Sequence, residues 1–339
     1  MYQQLQPKGG KWHLHGYVAM AGNIILLMCY CTICGWMLQY FVDTAAGKFV
    51  GLSVEQIGAA FPAMTQNTPA MAFYTIATVA LATIVCSFSL QGGLERITKW
   101  MMLALLSIMI LLAVNSCLLE GAGEGLKFYL MPDFKKFTEA GVWNVVVAAM
   151  NQSFFSLSLG IGSMAIFGSY LKKEHTLMGE AVNVVCLDTF VAFTAGLIIF
   201  PACFAYDVNP GAGPELLFIT MPNIFNNMAG SRIWSTLFFV FMSFAALSTL
   251  IAVFENIVSY WIDTHGWGRK KACIVNCIAL IILSIPCILG FNLWSGFQPL
   301  GAGTGVLDLE DFIVSSTLLP LGSLIFLLFC CYKKGWGWD

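Results

Sequence analysis

Three features of the sequence predict an all-α polytopic membrane protein. Of 339 residues, 58% are apolar and only 10% are charged, whereas a soluble domain carries about 25% charged residues. The apolar residues fall into runs long enough to cross a bilayer, which takes about 20 residues in a helix. The Lys and Arg residues collect in alternate connections between those runs, the asymmetry that orients spans. The same composition excludes several functional classes. A net charge of −2, without a basic patch interleaved with aromatics, offers nothing to nucleic acid. No Gly-rich phosphate loop, HExxH or GxSxG occurs, and the histidines (His13, His15, His175 and His265) all sit at or near span ends, so an enzyme is not expected. The polar opening MYQQLQPKGGKW and the long apolar run after it do not have the pattern of a cleavable signal peptide.

Eight spans are expected, at 14–42, 69–89, 97–119, 143–171 (interrupted), 179–205, 233–262, 271–291 and 306–332. With the N-terminus inside, the inner side holds Lys8, Lys11, Arg96, Lys99, Lys172, Lys173, Arg269, Lys270, Lys271, Lys333 and Lys334. The outer side then holds only Lys48, Lys127, Lys135, Lys136 and Arg232. The positive-inside rule therefore places both termini in the cytoplasm and the chain in the cell (inner) membrane as a multi-pass protein. Two outer connections, Gly121–Gly141 and Asp207–Ser231, are long enough to be functional. The second contains ELLFI, apolar enough to dip back as a re-entrant or capping helix. Ser53–Met64 is amphipathic and suits the outer surface.

The interrupted span carries the strongest signal. Asn151–Tyr170 reads NQSFFSLSLGIGSMAIFGSY, with two serines and two glycines between Ser156 and Gly162. Glycine costs about 1 kcal/mol relative to alanine in a helix interior, and serine offers the backbone competing hydrogen bonds. A helix break at membrane depth frees backbone groups, which are tolerated only against protein or a water-filled cavity. Paired half-helices of this kind build binding sites in secondary transporters.

Charged groups inside spans are costly and mark functional candidates. Asp188 lies one or two turns into the fifth span; it suits a hard cation as a carboxylate ligand, or a structural hydrogen bond to a neighbouring helix. Glu255, in the sixth span, favours an interhelical structural bond. Ala245, Ser248 and Thr249 share one face of that span, which fits either small-residue helix packing or an oxygen-lined site. Tyr30, one turn after Leu26 in the first span, needs a partner for its hydroxyl. Cys31 and Cys34 have CxxC spacing but sit mid-span without a second pair, as small packing residues do.

QSFFSLSLGIG with Ser169–Tyr170, GLKFYLMPDF, LFITMPNIF, FAALSTLIAVFE and LDLEDF occur in this order along the chain. Together they resemble the neurotransmitter:sodium symporter family, in its bacterial sodium-dependent amino-acid-transporter branch. The resemblance implies a leucine-transporter-like fold of two inverted five-helix repeats with two broken helices. The eight spans resemble the third to tenth helices of that fold. On this alignment the first two helices, and whatever follows the tenth, are missing, and a transport-inactive truncated protein is the alternative expectation.

Residue by residue, the resemblance implies a first sodium site with a hydroxyl from Ser156 and, at or near an asparagine of relatives, the carboxylate of Asp188. Four residues further on, where some relatives place a chloride-binding serine or a compensating glutamate, stands Ala192, so chloride-independent transport is implied. A second sodium site would use the Ala245 carbonyl, Ser248 and Thr249. Tyr30 would hydrogen-bond the substrate carboxylate, and Leu26, Phe155, Ser158, Ile161 and Val253 would line the side-chain pocket. Asp311 would belong to the outer gate, Asp263 and Tyr170 to the inner gate. The implied activity is sodium-coupled symport of a neutral or aromatic amino acid, with sodium ions and the lipid bilayer as partners and no organic cofactor.

Overall fold

The structure, a computed structural model, describes residues 2–88, 95–169, 176–207, 213–332 and 335–336. Its described elements are helical. After a single turn, α1 (Tyr2–Leu5), come α2 (His13–Ala45), α3 (Val54–Gln66), α4 (Thr68–Ser87) and α5 (Glu95–Cys117). Short helices α6 (Ala122–Leu130) and α7 (Phe134–Glu139) lead to α8 (Val142–Ser156) and α9 (Ser163–Ser169). There follow α10 (Leu177–Ala205), α11 (Met221–Asn227), α12 (Ser231–His265), α13 (Arg269–Leu283), α14 (Ile285–Gly290), α15 (Val306–Asp311) and α16 (Leu319–Cys331).

Seven helical stretches among the described residues are long and apolar enough to cross a membrane: α2, α4, α5, α10, α12, α13 with α14, and α15 through α16. The remaining expected span, the fourth, is α8 and α9, each too short to cross alone, with the interruption at Leu157–Gly162. At about 1.5 Å per residue, α2 and α12 are each about 50 Å long, well beyond a hydrocarbon core of about 30 Å. They pack against each other more extensively than any other pair, flanked by α4, α5 and α13, while α10 lies against α5 and α6.

The described residues of the connections expected on the outer side form short helices and turns. Ser53 caps α3 by accepting from the Gln56 amide at 3.3 Å, and the Gln56 side chain accepts from the Ser53 amide at 2.9 Å. LFITMPNIF folds back into the protein as a π-helical turn, Leu216–Thr220, running into α11. Phe218 is fully buried there, among the rings of Trp36, Tyr40, Phe61 and Phe239. Burying one such ring contributes about 1.5–3 kcal/mol. The Asn226 amide pins the turn by donating to the Leu52 carbonyl at 2.7 Å.

Glu255 does make an interhelical bond. Arg269, at the start of α13, donates from Nη1 to Glu255 Oε1 at 3.0 Å and from Nε to the Cys86 carbonyl of α4 at 2.7 Å. One buried ion pair thus ties α12, α13 and α4 together.

Candidate transport site

The break in the fourth span has the geometry its glycines and serines predicted. Backbone φ is positive at Ser158 (50°), Gly160 (88°) and Gly162 (86°). The left-handed conformation at Ser158 costs about 1–2 kcal/mol, so the surrounding packing must hold it. A Cβ on Gly160 would overlap the Leu319 carbonyl of α16, and one on Gly322 would overlap the Gly160 carbonyl. Backbone packs directly on backbone here, and only glycine at both positions allows it.

On one side of the break stand the two groups expected at the first sodium site. Ser156, the last residue of α8, donates from Oγ to Asp188 Oδ2 of α10 at 2.9 Å. Ser156 is exposed, Asp188 is half-exposed, and no residue of α8 is buried. The donor set is a carboxylate and a hydroxyl beside a stretch of non-helical carbonyls. Those are hard oxygen ligands carrying a single negative charge, which suits a monovalent hard cation. Ala192, one helical turn beyond Asp188, is exposed.

The second oxygen-bearing face lies on α12. Ser248 Oγ donates to the Ala245 carbonyl at 2.8 Å and Thr249 Oγ1 to the same carbonyl at 3.4 Å. The hydroxyls therefore fold back on their own helix. Leu26, Ile161 and Val253 are buried in one apolar cluster, against which Tyr30, Phe155 and Ala245 pack.

The expected gates are more dispersed. Asp311 is exposed at the end of α15, where Ser315 Oγ donates to it at 2.7 Å. Asp263 is exposed near the end of α12, and Tyr170 lies outside the described residues. A cavity of about 740 Å³, lined by Ala46, Gly47, Asn226, Met228 and Arg232 among others, opens at the N-terminus of α12, away from the break.

Two asparagines at the break escaped the sequence reading. Asn23 of α2 donates from Nδ2 to the Ile161 carbonyl at 2.7 Å, and Asn256 of α12 donates to Asn23 Oδ1 at 2.8 Å and to Ser163 Oγ at 3.1 Å. Periodicity carried the signal. Asn23 stands three residues before Leu26 and seven before Tyr30, and Asn256 stands three after Val253 and seven after Thr249, so each shares a helix face with the site.

Residues 52–307 match the family model described as the sodium:neurotransmitter symporter family. The chain belongs to this family. It is 34% identical over 336 residues to an uncharacterized sodium-dependent transporter, YhdH, of Bacillus subtilis, covering 98% of this chain and 72% of that protein. An uncharacterized sodium-dependent transporter of Haemophilus influenzae is 30% identical over 318 residues, covering 92% of this chain and 68% of its own length. The crystal structure of MhsT in complex with L-phenylalanine superposes with a TM-score of 0.86 at 34% identity, covering 95% of this chain and 72% of that one. The fold is thus the leucine-transporter fold, and the family relatives are membrane transporters rather than enzymes. Nothing in these matches favours a transport-inactive protein.

Proposed function

We propose that this symporter-family chain couples the inward movement of sodium to uptake of a neutral or aromatic amino acid by alternating access. The observation that carries this reading is the Ser156–Asp188 hydrogen bond beside the broken helix. Sodium held by Ser156, Asp188 and carbonyls of the break orders the unwound segment, and a second sodium lies at the Ala245 carbonyl, Ser248 and Thr249. Tyr30 binds the substrate carboxylate. Leu26, Phe155, Ser158, Ile161 and Val253 surround its side chain, and their apolar character favours a neutral or aromatic amino acid. L-phenylalanine, which MhsT holds in its crystal structure, is the first candidate. Sodium binds more tightly to the state that presents the ordered break outward, and that difference in affinity biases the conformational equilibrium. Asp311 serves the outer gate, Asp263 and Tyr170 the inner one, with both termini in the cytoplasm.

The test is accumulation of radiolabelled L-phenylalanine and other neutral amino acids by proteoliposomes holding the purified chain under an inward sodium gradient. Severalfold greater accumulation with sodium than with potassium is expected. Equal accumulation in both salts, or none with any neutral or aromatic amino acid, overturns the proposal.

A further inference from the structure

We infer that Asn23, Asn256 and Ser163 form a latch that holds the second half of the broken helix, α9, against α2 and α12, and that the transport cycle must release it. The inference rests on the symport reading for its role, but its geometry stands independently. All three residues are at least 97% buried: Asn23 is 0% exposed, Asn256 3% and Ser163 3%. Asn23 spends both amide hydrogens, one on the Ala19 carbonyl of its own helix at 2.8 Å and one on the Ile161 carbonyl at 2.7 Å. Asn256 spends its two on Asn23 Oδ1 and Ser163 Oγ, leaving the Ile161 carbonyl at 3.5 Å as a third, weaker acceptor. A side-chain amide has no further donors, so the network is closed.

Its placement makes it a moving joint. The latched groups, Ile161 and Ser163, straddle Gly162, whose φ is 86° and whose missing side chain would meet nothing within 4 Å. On the α8 side, the chain is fixed by the backbone contact of Gly160 with Gly322. On the other side, α9 has seven residues, with Met164, Ala165 and Ser169 exposed. Swinging α9 about Gly162 breaks the Asn256–Ser163 bond and strands buried amides, which is tolerated only if water enters in the same event. The joint is therefore either dry and closed or hydrated and open, the two discrete arrangements a gating element needs. It also borders the proposed pocket, because Ile161, one of the residues assigned to it, lies against Gly22 of α2 with its side chain while Asn23 holds its carbonyl.

The experiment is hydrogen–deuterium exchange mass spectrometry on the full chain in lipid nanodiscs, read at the amides of 159–169. Asn256→Leu and Asn23→Leu keep side-chain volume and remove the bonds; each is expected to speed exchange of this segment about tenfold without changing α4. Ser163→Ala is expected to give a smaller rise and Ser163→Thr, which keeps the hydroxyl, to restore wild-type exchange; this pair serves where an asparagine variant does not fold. In sodium-driven uptake, Asn256→Leu is expected to raise the external substrate KM about tenfold with Vmax within about twofold of wild type, a split that general loosening does not produce. Segment exchange within twofold of wild type in the asparagine variants and in Ser163→Ala overturns the latch. Faster exchange with an unchanged KM also overturns it, leaving a purely structural contact. Absence of uptake by the wild-type chain sinks the symport reading instead, and the exchange measurement still decides whether the latch exists.

Discussion

The α2–α12 pair and the α8–α10 pair handle polar groups at membrane depth in opposite ways. In α2 and α12, 56% and 50% of the most apolar window is buried, against 22% in α10, and α8 buries no residue at all. The polar groups of the first pair are closed on protein: Glu255 on Arg269, Asn23 on Asn256 and the Ile161 carbonyl. Those of the second pair, Ser156 and Asp188, meet each other on an open face. Closed networks rigidify, and elements with few buried contacts open at low cost. The difference sets α2, α12, α4 and α13, closed on one another, apart from α8 and α10, whose polar groups meet on an exposed face.

The closed half of this contrast breaks most easily at its buried charge. Arg269→Ala leaves Glu255, 1% exposed, without its guanidinium; a loss of about 3–5 kcal/mol is expected, because removing one partner strands the other. Thermal denaturation in detergent reads it, and Glu255→Gln introduced beside Arg269→Ala is expected to recover part of the loss. A melting temperature unchanged by Arg269→Ala removes the ion pair from what holds the closed half together. Gly160→Ala comes next. Its Cβ would overlap the Leu319 carbonyl at a φ that alanine avoids, so a cost of about 1–3 kcal/mol is expected, together with lost sodium-driven uptake. Wild-type stability and uptake in that variant would mean that α8 and α16 separate freely.

What the sequence made legible follows from what these two halves are built of. Apolar runs with basic ends marked α2, α4, α5, α10 and α12 to within a few residues, because bilayer thickness sets helix length. SLSLGIG marked the break, since glycine and serine fail locally and need no partner to do so. The Asn23–Asn256 bond was invisible for the opposite reason: it joins residues 233 positions apart, and each amide alone reads as one tolerated polar group in a span. The Gly160–Gly322 contact was hidden likewise, because a glycine does not announce which backbone approaches it. Ser156 and Asp188 came forward separately, one through the break and one through its charge, and only the fold brings them within a hydrogen bond.

Substitutions on the open face are expected to change function rather than stability. Asp188 sits on an open face, so Asp188→Asn is expected to leave the melting temperature nearly unchanged while raising the sodium concentration for half-maximal uptake about tenfold or more, the loss of one charge-assisted ligand. Ser156→Ala removes a neutral oxygen and is expected to raise it about threefold. Sodium titration of uptake reads both. Asp188→Asn with a wild-type titration would move the first cation elsewhere, and one that unfolds the protein would make Asp188 part of the closed half after all.

The smallest expected effect is none. On the proposed reading, a sodium ion between Ser156 and Asp188 would be neutralised by the carboxylate itself, and Ala192, one turn on, offers no donor to an anion. An added chloride would sit beside a carboxylate on an exposed face, where repulsion between like charges opposes it. Replacing chloride by gluconate is therefore expected to leave sodium-driven uptake within about twofold of its value in chloride, at a constant sodium gradient. Uptake that collapsed in gluconate would show that Asp188 does not carry the compensating charge. It would also remove the reason for placing the sodium ion on the open side of the break rather than on the face of α12.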